Sequence, residues 1–143
     1  MSNIIYIDGS CSLKNNTAGI GVYNKNLDLN VSFNIDEICD KKTNSIAELY
    51  ALKYTLDYLD KLNIDVSDYI IYSDSMYVVN IYNKWIENWI MKGYKTAKNQ
   101  PICNQSLILT IYYMLIRLNV KLMYIPRTQN KIADKLAKKA LHY

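Results

Sequence analysis

Four acidic residues stand apart from the others in this sequence. Asp8 follows the apolar run Ile4–Ile7, Asp74 follows Tyr69–Ser73, Glu48 lies near the start of a periodic segment opening at Ser45, and Asp134 lies near the start of another opening at Asn130. In an α/β sheet, strand ends and helix starts meet at a crevice held by rigid elements, so side chains at such places can be brought together. Carboxylates gathered there repel and raise one another's pKa unless a cation neutralises them. An all-oxygen donor set suits a hard divalent ion such as Mg²⁺ or Mn²⁺. Each acid except Asp8 also has an ordinary explanation. Glu48 can be the N3 member of a capping box, Ser45-Ile46-Ala47-Glu48, and Asp74 and Asp134 can complement a helix N-terminal dipole. Asp8 ends the run Ile-Ile-Tyr-Ile, where few polar neighbours justify an acid.

The elements that must position these residues follow from periodicity and turn chemistry. Ile4–Ile7, Ala18–Tyr23 and Val31–Ile35 read as three strands of a meander, separated by Asn, Asp and Lys turns. From Ser45 to about Asn63, Leu49, Leu52, Leu56 and Leu59 step by three and four, which predicts a helix with one buried stripe. Tyr69–Ser73 is a strand, Ser75 to about Met91 one helix, Asn104 to Leu118 another, and Val120–Ile125 a strand ended by Pro126. Asn130–His142 closes the chain as a helix with Ile132, Leu136 and Ala140 on one stripe. The order predicts an α/β fold with a mixed five-stranded sheet flanked by helices. Its first three strands are antiparallel, and its later strands are parallel because they follow helical crossovers.

Length and composition narrow the class. The 143 residues suit one domain, 1–143, able to bury its own core. Half the residues are apolar and only 4 Gly and 2 Pro occur, which excludes collagen-like and low-complexity chains. The longest apolar stretch, Leu107–Ile116, is about half of the ~20 residues a bilayer crossing needs. The first residues lack the basic and apolar regions of a secretory leader, and Cys11, Cys39 and Cys103 form no C-x-x-C pair. The expectation is a cytoplasmic protein with reduced thiols. Charge is divided unevenly: residues 1–83 hold 6 lysines against 11 acids, and residues 84–143 hold 11 Lys or Arg against Glu87 and Asp134 alone. That asymmetry predicts a polyanionic partner for the second half.

With these segments in order, the chain resembles the type 1 ribonucleases H. Ile5-Tyr6-Ile7-Asp8-Gly9-Ser10-Cys11 looks like that family's opening strand and Ala18-Gly19-Ile20-Gly21 like its second. Thr43-Asn44-Ser45-Ile46-Ala47-Glu48-Leu49 looks like its first helix start, Tyr72-Ser73-Asp74-Ser75 like its third acidic site, and Asn130-Lys131-Ile132-Ala133-Asp134-Lys135-Leu136-Ala137 like its fourth. The resemblance runs from about Ile4 to Ala140. It implies a ribonuclease H-like fold and cleavage of the RNA strand of RNA–DNA hybrids by a two-metal displacement, with 5′-phosphate and 3′-hydroxyl products and Mg²⁺ or Mn²⁺ as cofactor. Carried over by position, Asp8 bridges both ions, Asp134 completes the water-side ion, and Glu48 and Asp74 complete the leaving-group ion. Glu48 would also approach the 2′-hydroxyl, which only RNA has.

The resemblance extends to substrate contacts. Trp85 and Trp89, four apart, predict a shared buried helix face. Lys92, Lys95 and Lys98, flanked by Gly93 and Tyr94, resemble the basic handle that many type 1 enzymes lay on the DNA strand, where phosphate contacts add affinity without sequence preference. Asn15 and Asn44 match minor-groove positions, and Thr43 and Arg127 are counted with them as substrate contacts. The chain also departs from the pattern. The loop before the last helix is only Pro126-Arg127-Thr128-Gln129, without the His that many members carry, as in a short-loop subgroup. The sole His, His142, reads as a tail residue, Met76 replaces a common polar residue, and Ser45 replaces a second Asn. The expected protein is a monomeric enzyme with no protein partner. The alternatives are a hybrid-binding module of weak activity and another nuclease of this fold, such as a junction resolvase. The four retained acids count against a pure binder, and the handle and Thr43-Asn44 favour hybrid cutting.

Overall fold

The computed structural model describes residues 3–142. Met1 and Ser2, where the reading of the N-terminus begins, and Tyr143 lie outside the described residues. Five strands form one sheet in the order β3-β2-β1-β4-β5: β1 is Ile4–Ser12, β2 Thr17–Asn24, β3 Leu29–Asn34, β4 Ile70–Ser73 and β5 Lys121–Tyr124. The β1–β2 and β2–β3 pairs are antiparallel, and β1–β4 and β4–β5 are parallel, as the order of elements predicts. Helix α1 (Asn44–Lys61) buries Leu49, Leu52, Leu56 and Leu59, the expected stripe. Ile5, Ile7, Ile71 and Leu122 join them in one core. Among the described residues no helix is long and apolar enough to cross a membrane.

Three details differ from the sequence expectation, each for a packing reason. The first strand does not end at Asp8. Pairing of β1 with β4 stops at Ile7↔Ser73, but pairing with β2 continues to Ser12↔Thr17. Asp8 therefore sits within β1 at the point where β4 leaves the sheet.

The helix expected over Ser75–Met91 is divided into α2 (Met76–Asn80), a π-helical turn (Ile81–Trp85) and α3 (Ile86–Met91). Ile81 and Ile86 are both fully buried. Five residues apart on an α-helix they would point about 140° away from each other, whereas the wider π turn brings them to one side. Trp85 and Trp89 stack with centroids 5.9 Å apart, and Trp89 is buried, so the expected pairing holds.

Helix α4 spans Gln105–Leu118, and the last helix, α5, spans Lys131–Lys139 followed by a 3₁₀ turn, Ala140–His142. Its buried stripe is Ala133, Ala137 and Ala140, while Ile132 is exposed. Small residues win here because α5 lies directly on β2. A Cβ on Gly21 would come within 2.2 Å of the Ala133 carbonyl oxygen and 2.7 Å of the Ala137 nitrogen. Ser32 on β3 fixes the same helix by donating to the Leu136 carbonyl at 2.6 Å.

Candidate active site

Asp8, Glu48 and Asp74 meet where β1, α1 and the end of β4 converge, each offering a carboxylate oxygen within 4.8 Å of the others. Backbone proximity brings Glu48 there. Helix α1 begins at Thr43, whose side chain accepts the Ile46 N–H at 3.1 Å, so Thr43 and not Ser45 is the cap. The capping-box reading of Glu48 is thereby corrected: Glu48 lies in the second turn, turned inward and 2% exposed. Ser73 donates its hydroxyl to Glu48 Oε1 at 2.7 Å and accepts the Ser75 N–H at 3.0 Å, and the Gly9 N–H donates to the Glu48 carboxylate. Glu48 is thus fixed from both neighbouring strands.

Asp74 follows the last residue of β4 and accepts from Asn130 Nδ2 at 3.0 Å. Asp134 stands in the first turn of α5 within hydrogen-bonding reach of Asp8. It falls outside the tight group of three, and Lys138 Nζ lies 3.1 Å from its Oδ2. All four expected acids therefore border one site, three of them closely grouped and Asp134 at its edge.

The electrostatics are those of an acid cluster without enough positive charge. Burial, then the charges of Glu48 and Asp74, push Asp8 up to about 9. Burial also pushes Glu48 up to about 8, against the lowering effect of its bonds from Ser73 and Gly9. Protons held this tightly by buried carboxylates are what a divalent cation would displace. The donor set is all carboxylate oxygen, so these residues fit Mg²⁺ or Mn²⁺ in charge and in hardness.

The remaining expected residues lie further out. Thr43 is the α1 cap, and the exposed Asn44 opens that helix. Asn15 sits exposed in the β1–β2 turn, its N–H on Ser12 Oγ at 3.3 Å. Arg127 is exposed in a 3₁₀ turn, Arg127–Gln129, which occupies the expected short loop. Lys92, Lys95 and Lys98 are exposed on a protruding turn in which Gly93 and Tyr94 have positive φ and Lys95 pairs with Pro101. His142 is exposed in the closing 3₁₀ turn. Met76 is exposed at the start of α2 and Ser45 half-buried in α1.

Two residues had no role in the sequence reading. Ser73 reads as the last residue of a strand and Asn130 as a helix start, yet both are buried and bonded to the acids. The only sequence signal was their place beside Asp74 and four residues before Asp134.

A sequence profile of the RNase H family matches residues 1–142. Ribonuclease H of Clostridium botulinum is 32% identical over 96% of this chain and 94% of its own length. Ribonuclease H1 of Rattus norvegicus is 29% identical over 96% of this chain, which spans about half (49%) of that protein. A foamy viral protease-reverse transcriptase, solved in complex with an RNA/DNA hybrid, superposes with a TM-score of 0.75 at 21% identity, over 97% of this chain and 20% of that one. That last likeness concerns the fold.

Proposed function

The chain belongs to the RNase H family, and on that premise we propose that it is a metal-dependent endonuclease that hydrolyses the RNA strand of RNA–DNA hybrids, leaving 5′-phosphate and 3′-hydroxyl ends. The observation that carries the reading is the meeting of buried Asp8 and Glu48 with half-buried Asp74, with Asp134 at its edge. A module that only bound nucleic acid would gain nothing from a mutually repelling set of acids.

In this proposal Asp8, Glu48, Asp74 and Asp134 hold two Mg²⁺ or Mn²⁺ ions. Such ions supply a more acidic water and charge stabilisation at the scissile phosphate. The chain's own residues do the rest. Asp8 stands centrally, between the group with Glu48 and Asp74 on one side and Asp134 on the other. Glu48, clamped by Ser73 and the Gly9 N–H, is held for the 2′-hydroxyl of the RNA strand. Asn15, Thr43, Asn44 and Arg127 line the hybrid's approach, and Lys92, Lys95 and Lys98 meet phosphates of the DNA strand. We place the protein as a monomer in the cytoplasm; the reducing compartment is the part that the free thiols of Cys11, Cys39 and Cys103 support.

The test is incubation of the purified chain with end-labelled RNA–DNA, RNA–RNA, DNA–DNA and four-way-junction substrates in Mg²⁺, Mn²⁺ or EDTA. Cleavage confined to the RNA of the hybrid and abolished by EDTA is expected. Binding without cleavage would mark a hybrid-binding module, and cutting of the junction alone a resolvase.

A further inference from the structure

We propose that Asn130 is a positioning residue of the acidic site: it locks the Asp74 carboxylate in place against Asp8 and Glu48, and so sets the affinity of the cluster for divalent ions. The inference rests on the metal-site reading above and assigns a role to a residue outside the acidic set.

Asn130 occupies the N-cap position of α5, where an Asn side chain normally accepts an N–H of the first turn. It makes no such bond. The side chain is 1% exposed and turns inward, donating from Nδ2 to the Ile7 carbonyl at 2.8 Å and to Asp74 Oδ2 at 3.0 Å. The Ile7 carbonyl can only accept, so the amide orientation is determined: a flipped amide would set Oδ1 against that carbonyl oxygen. The consequence is that Oδ1 is buried with no hydrogen-bond partner. A residue serving the helix start alone would turn Oδ1 to the α5 N–H groups and avoid that cost.

What the inward orientation achieves is a link between the three places from which acids enter. Ile7 precedes Asp8 on β1, Asp74 leaves β4, and the backbone carbonyl of Asn130 accepts the Asp134 N–H at 3.1 Å in the first turn of α5. With one oxygen held by the Asn130 amide, the Asp74 carboxylate is restrained from rotating away from Asp8 and Glu48. Partners that orient a ligating carboxylate in this way typically change metal affinity or activity about 10–100-fold when removed.

Asn130→Ser tests the role, because a serine can cap α5 and preserve the helix but is too short to reach Asp74. Calorimetric titration of the metal-stripped full chain with Mn²⁺ is expected to show affinity weaker by about 10-fold or more, with kcat reduced and the hybrid KM within about twofold of wild type. A folded Asn130→Ser with wild-type Mn²⁺ affinity overturns the proposal, whatever its Tm. Combining Asn130→Ser with Asp74→Asn supplies a readout that a purely structural role would not move. If Asn130 acts through Asp74, the serine costs little further Mn²⁺ affinity in the Asp74→Asn background, and full additivity overturns the assignment. Should wild type bind Mn²⁺ but leave hybrid uncut, the hybrid-cutting reading fails while the Asn130 comparison is still decided by the affinities.

Discussion

Gly9 of β1 lies so close to Glu48 of α1 that no larger residue fits between them: a Cβ on Gly9 would sit 2.2 Å from the Glu48 backbone nitrogen and 2.3 Å from the Ala47 carbonyl carbon. The obstacle is backbone on both counts, so a rotamer change cannot relieve it. Gly9→Ala must push α1 off the sheet, at a cost of about 1–3 kcal/mol by analogy with overpacked cores. The same shift withdraws Glu48 from the Gly9 N–H that helps hold it. The expected outcome is a lower Tm together with weakened Mn²⁺ binding, read by thermal unfolding and calorimetry. A variant with wild-type values for both would show that α1 has room the structure denies it.

That contact also marks how far the sequence alone could be read. The strands and the α1 stripe were legible because burial imposes periods of 2 and 3.6 on apolar residues. The four acids were legible because Asp8 interrupts an apolar run, Asp74 and Asp134 stand beside element boundaries, and all four fall in the order of a known family's acids. Contacts made by the absence of a side chain leave no such period. Gly9 against α1 and Gly21 against the Ala133–Ala137 stripe of α5 therefore passed unseen, and Ile132 was placed inside when it lies outside. The π turn escaped for a related reason, since Ile81 and Ile86 share a side only if the helix is not α. Asn130 and Ser73 act through bonds to residues distant in sequence, which local spacing cannot reveal.

The raised pKa values of Asp8 and Glu48 make the metal-free protein sensitive to alkali. An unfolded Asp releases its proton near 3.8, whereas folded Asp8 keeps it to about 9. The native state therefore binds more protons between those limits, and by linkage the contribution of these two groups to stability is full below about pH 4 and is lost progressively as pH rises through about 8–9. The decline is at most about 1.4 kcal/mol per pH unit for each retained proton. Urea unfolding in EDTA at pH 5, 7 and 9 is expected to show falling stability for wild type and a shallower fall for Asp8→Asn. Under cleavage conditions Asp8→Asn is expected to lose at least ~10³ in kcat, since several kcal/mol of barrier reduction depend on the ion it holds. A pH-independent wild type, or an active Asp8→Asn, would contradict the assignment of Asp8 to the cluster.

No imidazole accompanies the acids. His142, exposed in the turn after α5, is the sole histidine of the chain. Its replacement by Ala is expected to leave kcat within about twofold between pH 6 and 9, against the 10²–10⁴-fold loss typical of a missing general acid or base. A hundredfold loss would mean that the C-terminal turn reaches the site.

The lysine-bearing protrusion offers the test of hybrid binding apart from chemistry. It is anchored rather than loose: Tyr94 and Lys95 both donate their N–H to the Trp89 carbonyl, at 2.8 and 3.1 Å, and Thr96 N–H donates to the Gln100 carbonyl at 2.8 Å. Lys92, Lys95 and Lys98 project from this frame into solvent, and none of them is among the ion pairs of the described residues. Lysines free of acidic partners can exchange bound counterions for phosphates, and each contact made contributes up to about 0.9 to the slope of log affinity against log salt. Replacing all three with Ala is expected to raise the hybrid KM and to flatten that slope by one to three contacts, with kcat little changed, because the acids that hold the metal are untouched. Steady-state kinetics of wild type and the triple variant from about 50 to 200 mM salt give both quantities. An unaltered slope would assign these lysines to solvation of the surface and place the path of the DNA strand elsewhere on the molecule.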